Sequence, residues 1–446
     1  MCIQRWMLVA LLLAAALCIG YDIREAAADG NAPELPFDVP QYPEPEDNAW
    51  DYVLRAAQVL DDTGAKRGSD LVAAAGANGA DPDYAAAAAC YEPAFAVLRM
   101  GLYNDCRTPD ILSLDQLLPD LASIREMARG LSYEARAYLA AGETDKAIDS
   151  LQDCLRLARN ANINGVLIHA LVGKAIETIA ARALSDCMDE GTPSAKRLIA
   201  FAAWNEQNRL SRQGFADSLA VDLRAVLLSF DDQPTLTADF LKMAPALIAW
   251  ARQPAHLRGE APRTGTMDAG GLMPPPLNYE RIAWQMAESD AVLAGMSIRC
   301  AIEAVKLRTG AYPATLGDLS PDYLPELPKD PFSGEDFRYR VDTDAGTYLL
   351  YSVGPDKVDD GGTVVWSEHD GKGDMLIGPQ LMTRLPAGNT GAAGVPGPPP
   401  PPPAPPPGGA LGPAGVPGPP PPPPAPPGGA LGPAGVPGPP PPPPAE

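Results

Sequence analysis

The sequence predicts an α+β multidomain protein in which an N-terminal all-α domain is followed by a long helix with a small antiparallel sheet and then a disordered proline-rich tail. Three observations carry this. Residues 49–255 repeat Ala, Leu and Arg at three- and four-residue spacing, as in Leu151, Cys154, Leu155 and Ala158, which places the apolar side chains on one face of a helix. Residues 279–309 hold a further helical apolar pattern, followed by segments of strand composition at 337–341, 347–353 and 363–366. From residue 387 onward, runs of proline alternate with Gly and Ala, a composition that cannot bury a core.

Composition narrows the function. Lys and Arg number 34 against 56 Asp and Glu, a formal charge of -22 over 446 residues. An acidic surface repels phosphate backbones, so no nucleic acid is expected as a partner. Aromatic residues at 6% argue against an extended sugar-binding platform.

At the N-terminus, Arg5 precedes an apolar run at 6–20, shorter than the roughly 20 residues a bilayer span takes. Residues 1–28 read as a signal peptide, with Ala26-Ala27-Ala28 placing cleavage before Asp29. An uncleaved anchor is a second reading, and a lipoprotein on Cys18, behind Leu17, is a third. Each places the rest of the chain outside the cytoplasm, periplasmic or secreted, with membrane contact only through this segment if it is retained.

Five further cysteines, Cys90, Cys106, Cys154, Cys187 and Cys300, include no CxxC pair. Two disulfides with one buried thiol, or five small apolar core residues, both fit. Residues 29–48, rich in Pro, Glu and Asp, are expected to form an extended tether. Within 49–255, Pro109, Pro119, Pro193 and Pro234 mark helix boundaries.

Ala135, Tyr138, Gly142 and Ala147 match the spacing of a tetratricopeptide hairpin over 131–158. A repeat-like groove that binds a protein or peptide partner is one reading, and an ordinary antiparallel helix pair is the other. No second copy follows at the period of about 34 residues. Residues 256–278 form a linker.

Beyond it, Ile282, Met286, Leu293, Met296, Ile298, Ala301, Ile302 and Val305 fall mostly on one stripe of a single helix that Gly310 ends. The strands after it lay an apolar face on that helix. Tyr312-Pro313 and Leu327-Pro328 keep the intervening loop extended, because the residue before proline is pushed out of the helical region. Asp330-Pro331-Phe332-Ser333-Gly334 makes a turn.

Three motifs occur in order here: Gly310-Ala-Tyr312-Pro313, Leu327-Pro328-Lys329-Asp330-Pro331, and Tyr351-Ser352-Val353-Gly354-Pro355-Asp356. Residues of about 279–378 therefore resemble the globular domain of the type II secretion protein G pseudopilins. The resemblance implies a pilin-like long helix on an antiparallel sheet, and a non-catalytic structural or assembly role. It also implies a calcium site in the loop after the third motif, with Asp356, Asp359 and Asp360 as ligands, joined by main-chain carbonyls near Ser352. Calcium takes about six to eight hard oxygens, which clustered carboxylates supply. A solvated Asp-Gly turn is the other reading of the same residues, and Lys357 adds a positive charge among them. The leader, Gly-Phe-type peptidase site and Glu-bearing hydrophobic helix of pseudopilins do not precede Tyr279, so the domain is expected to serve another extracytoplasmic role behind a helical domain. Helical adaptor function through residues 49–255 is the alternative.

Enzymatic motifs are missing. The three histidines, His169, His256 and His369, fall in a helix, a linker and an acidic loop, with no HExxH, GxSxG or phosphate-cradling glycine motif. His169 is expected on a helix surface. The tail 387–446 repeats Gly-Val-Pro-Gly before six prolines and would make a polyproline II rod of roughly 180 Å if fully extended. It suits a spacer or a ligand for proline-recognising partners, or it is drift by repeat expansion.

Overall fold

Helices begin and end where side chains serve their unpaired backbone groups. In the computed structural model, which describes residues 35–60, 64–111, 118–211, 213–229, 234–262, 278–363 and 372–379, the order is α1 (Ala49–Val59), α2 (Gly64–Ala77), α3 (Tyr84–Ala89), α4 (Glu92–Gly101), α5 (Leu118–Ala140), α6 (Thr144–Asn160), α7 (Leu167–Asp189), α8 (Ala195–Leu210), α9 (Phe215–Ser229), α10 (Pro234–Ala251) and α11 (Tyr279–Thr309), then β1 (Arg338–Asp342), β2 (Thr347–Ser352) and β3 (Met375–Leu376). The chain is thus mostly helical with a small three-stranded antiparallel sheet. Asn48, Asp83, Ser194 and Asn278 accept amide hydrogen bonds at the starts of α1, α3, α8 and α11, each cap contributing about 1 kcal/mol. Residues 1–28, expected as a signal peptide or anchor, and the tail 387–446 lie outside the described residues.

The expected helix pair at 131–158 is present as α5 and α6, turning at Gly142 with φ +76°. Ala135, Ala147, Leu151 and Ala158 are buried in its seam and against α7. The stretch expected as an extended tether has no helix or strand over 35–47, yet Leu35, Phe37 and Val39 pack against buried apolar clusters. The five cysteines among the described residues are free thiols, and four of them are buried. Burial pushes the Cys106 and Cys300 thiols up to about 12.

Helix α11 runs unbroken from Asn278 to Gly310, whose φ of +82° supplies the left-handed stop. Its burial differs from the expected single stripe. From Ala291 to Val305 almost every residue is buried, because α7 and α8 cover one side while β2 and the 3-10 turn Leu316–Leu319 cover another. Small residues permit this double packing: a Cβ on Gly295 would lie 2.4 Å from the Ile377 side chain. Asn205 of α8 donates to the Leu293 carbonyl at 2.9 Å and to Ser297 Oγ at 2.8 Å. One core consequently runs from Ala49 to Ile377, and the boundary drawn at 256–278 separates segments of sequence that share it.

Arg299 sits within this core at 0% exposure. Its guanidinium donates to Ser185 Oγ at 2.9 Å and pairs with Asp189, both on α7. One turn on, Glu303 accepts from Tyr348 Oη of β2 at 2.8 Å. A buried charge is tolerated only when it is paired and hydrogen-bonded, and these contacts tie the helical layer to the sheet.

The sheet has the order β1-β2-β3. Strand β1 pairs antiparallel with β2 from Arg338↔Tyr351 to Asp342↔Thr347, and β2 pairs with β3 through Tyr351↔Leu376 and Ser352↔Met375. The first two expected strands are therefore present. The third strand is Met375–Leu376, while of the expected 363–366 only Thr363 is described and it is not in a strand. Tyr312 packs on Tyr348 with ring centroids 4.9 Å apart, and Tyr339 Oη donates to the Pro313 carbonyl at 2.9 Å. The loop after α11, expected to be extended, instead carries the 3-10 turn Leu316–Leu319, and these contacts pin its start to the sheet.

Candidate cation-binding loop

Strand β2 leaves the sheet at Ser352 and enters an irregular segment through Gly354, whose φ of +72° places a hypothetical Cβ 2.2 Å from the Gly373 carbonyl oxygen. Only glycine allows these two backbones to approach so closely. Gly361 and Gly362, at φ +69° and +79°, continue the turn. Their amides point at carboxylates: Gly361 N donates to Asp359 Oδ1 at 3.0 Å, and Gly362 N donates to Asp374 Oδ2 at 2.7 Å.

The three acidic residues expected here meet different fates. Asp356 accepts from Val358 N at 3.2 Å and from Gly373 N at 2.9 Å. Asp359 accepts from Tyr351 Oη at 2.8 Å and pairs with Arg338 Nε at 3.0 Å. The Tyr351 hydroxyl, then the Gly361 amide and Arg338, hold its carboxyl below the usual carboxylate range. Asp360 is exposed. Lys357 turns away from them, its Nζ donating to the carbonyls of His256 at 2.9 Å and Arg258 at 3.3 Å. At Ser352 the main chain pairs with Met375 and the hydroxyl is given to Asp330.

Asp374 completes the group. It is fully buried, and among the described residues its Oδ1 has no hydrogen-bond partner. Burial pushes its carboxyl up; the Gly362 and Asp360 amides act against that, and the charges of Asp359 and Asp360 add to it. An unmatched buried carboxylate oxygen beside two other carboxylates is costly unless a proton or a cation neutralises it. Its partner Gly362 is twelve residues away, so the contact exists only once β3 has joined β2, and the spacing of Asp356, Asp359 and Asp360 does not announce it.

The donor set suits a hard cation in part. Asp360 and Asp374 Oδ1 have capacity to spare, whereas Asp356 and Asp359 are already engaged, and no group of three or more His, Cys, Asp or Glu side chains converges among the described residues. His369 lies outside the described residues. His169 is buried rather than on a surface, with the ring of Trp50 in α1 6.5 Å away between centroids. Burial lowers it to about 4. No helix among the described residues is long and apolar enough to cross a membrane. Compared with family models, curated proteins and solved structures, the chain matches none.

Proposed function

We propose that the protein is a non-catalytic, extracytoplasmic structural or assembly protein whose C-terminal part works in the manner of a type II secretion pseudopilin. The observation that carries this reading is the association of its three motifs. Helix α11 ends in a left-handed Gly310, the Tyr312-Pro313 loop crosses the sheet, and the Asp330 turn is hydrogen-bonded to the exit of β2 at Ser352 and Val353. Such a domain presents surface and shape, and its chemistry is confined to stabilising a loop.

Calcium is the proposed ion, held through Asp360 and Asp374 with Asp356 and Asp359 beside them. It would supply charge neutralisation to the loop and nothing more. The adaptor alternative draws less support, because the α5–α6 pair is packed against α7 and its small residues are buried there. Cell fractionation with limited proteolysis of the full chain tests the proposal. Export, together with calcium-dependent protection of the 354–374 segment, is expected. Retention in the cytoplasm, or cleavage indifferent to calcium and chelator, would contradict it.

A further inference from the structure

A cleft of about 410 Å³ opens where the C-terminal ends of α6, α8 and α10 meet α7 and α11, a volume within the roughly 300–1,000 Å³ common to small-ligand sites. Its wall is apolar along Ala170, Phe215, Ala283 and Met286. The polar lining runs against the character of the chain. Four cationic side chains, Arg159, Lys174, Arg209 and Arg258, face it with two carboxylates, Glu177 and Asp290, in a protein of net charge -22.

The cations divide into two kinds. Lys174 pairs with Glu288, and Arg209 pairs with Glu206 and Asp290. Among the described residues Arg159 has only neutral hydrogen-bond partners, donating from Nε to Ser211 Oγ at 2.9 Å. Arg258 likewise donates to the carbonyls of Ala251 and Gln253 at 3.0 and 2.8 Å, with its guanidinium 5.5 Å from the ring centres of both Phe215 and Trp250. Neither forms an ion pair among the described residues. Burial lowers the pKa of both, and the neighbouring Arg156 cation lowers that of Arg159 further. Lys357 fixes the carbonyls of His256 and Arg258, so the wall that carries Arg258 is held in place from the C-terminal side.

We propose that this cleft binds a small amphipathic carboxylate, its acid group between Arg159 and Arg258 and its apolar body along Phe215, Ala283 and Met286. A guanidinium fork matches a carboxylate, and one already stacked on aromatic rings loses little freedom when it binds. The pairing would give each half-desolvated cation the anion it lacks.

Calorimetric titration of the full chain with benzoate, and with the neutral isostere benzamide, tests the proposal. Benzoate is expected to bind saturably and benzamide at least about tenfold more weakly, the loss of one charge-assisted hydrogen bond. Arg159→Gln removes a cation whose side-chain hydrogen bonds, among the described residues, go to Ser211 and Asn160; it should leave the thermal midpoint of the free protein nearly unchanged and weaken benzoate binding by about tenfold. Arg258→Gln should weaken it at least as much, and if that variant fails to fold, Arg159→Gln and the benzamide comparison still decide. Equal binding of benzoate and benzamide, full benzoate binding by Arg159→Gln, displacement of benzoate by equimolar phosphate, or no saturable heat with benzoate would each overturn the assignment.

Discussion

The buried carboxylate of Asp330 accepts the hydroxyl of Ser352 at 2.8 Å, and thereby joins the turn before β1 to the exit of β2. The same side chain accepts Phe332 N at 3.0 Å and Val353 N at 3.1 Å. At 1% exposure it has no water to fall back on. Two motifs separated by some twenty residues of sequence are one hydrogen-bonded unit.

Replacing Asp330 with Ala would leave the Val353 amide and Ser352 hydroxyl buried without an acceptor. We expect a loss of about 3 kcal/mol in urea unfolding, from two or more orphaned donors. A change below about 1 kcal/mol would show that the turn does not depend on this carboxylate.

Gly354 and Gly346 separate steric from conformational cost. Both have positive φ, but a Cβ at Gly346 meets open space, whereas at Gly354 it would strike the Gly373 carbonyl. Gly346→Ala should cost about 1 kcal/mol. Gly354→Ala should cost clearly more and loosen β3 from β2, read as faster amide exchange at Ile377, whose amide donates to the Leu350 carbonyl at 2.9 Å. Equal costs would contradict the close approach.

His169 makes stability fall in mild acid. The folded imidazole stays neutral down to about pH 4, while the unfolded one takes up a proton near pH 6.5. Its contribution is complete above that value and is lost as the pH drops from about 6.5 toward about 4. Denaturant titrations of wild type and His169→Gln should therefore converge, by on the order of 2 kcal/mol between about pH 7.5 and about pH 5. A constant difference across that range would refute the burial of a neutral ring.

Residues 279–378 should not fold alone. Their helix would expose the face that α7 and α8 cover, including Ala291, Ala294 and Ala301, and would strand Arg299 without Ser185 and Asp189. Circular dichroism and denaturant unfolding of that fragment should show a non-cooperative chain. A cooperative transition with native-like sheet signal would mean the shared core is dispensable.

Both ends of α11 are legible in the sequence because Asn278 and Gly310 act locally, through a side-chain cap and a left-handed turn. Strands β1 and β2 are legible for a similar reason: Thr347, Tyr348 and Tyr351 have strand composition, and Gly346 makes the hairpin turn. What escapes is set by distant partners. Arg299 looks like a polar-face residue until Asp189 meets it across α7. The small residues Ala294, Gly295 and Ser297 do not enter an apolar stripe, although they let two layers close on the helix. Asp374 reads as an unremarkable loop residue until pairing of β3 brings it under Gly362. Residues Asp356 and Asp359 were readable as acidic, but their commitments to Gly373, Tyr351 and Arg338 depend on the finished turn.

Thermal melting of the full chain in calcium and then in excess chelator, alongside Asp374→Asn, tests most directly whether the loop is a cation-dependent element. Calcium binding should raise the midpoint by about 1 to 2 °C, what about 1 kcal/mol of stabilisation yields in a core of this size, and Asp374→Asn should lose that increment. Identical midpoints in calcium and chelator, or an increment that survives Asp374→Asn, would contradict it.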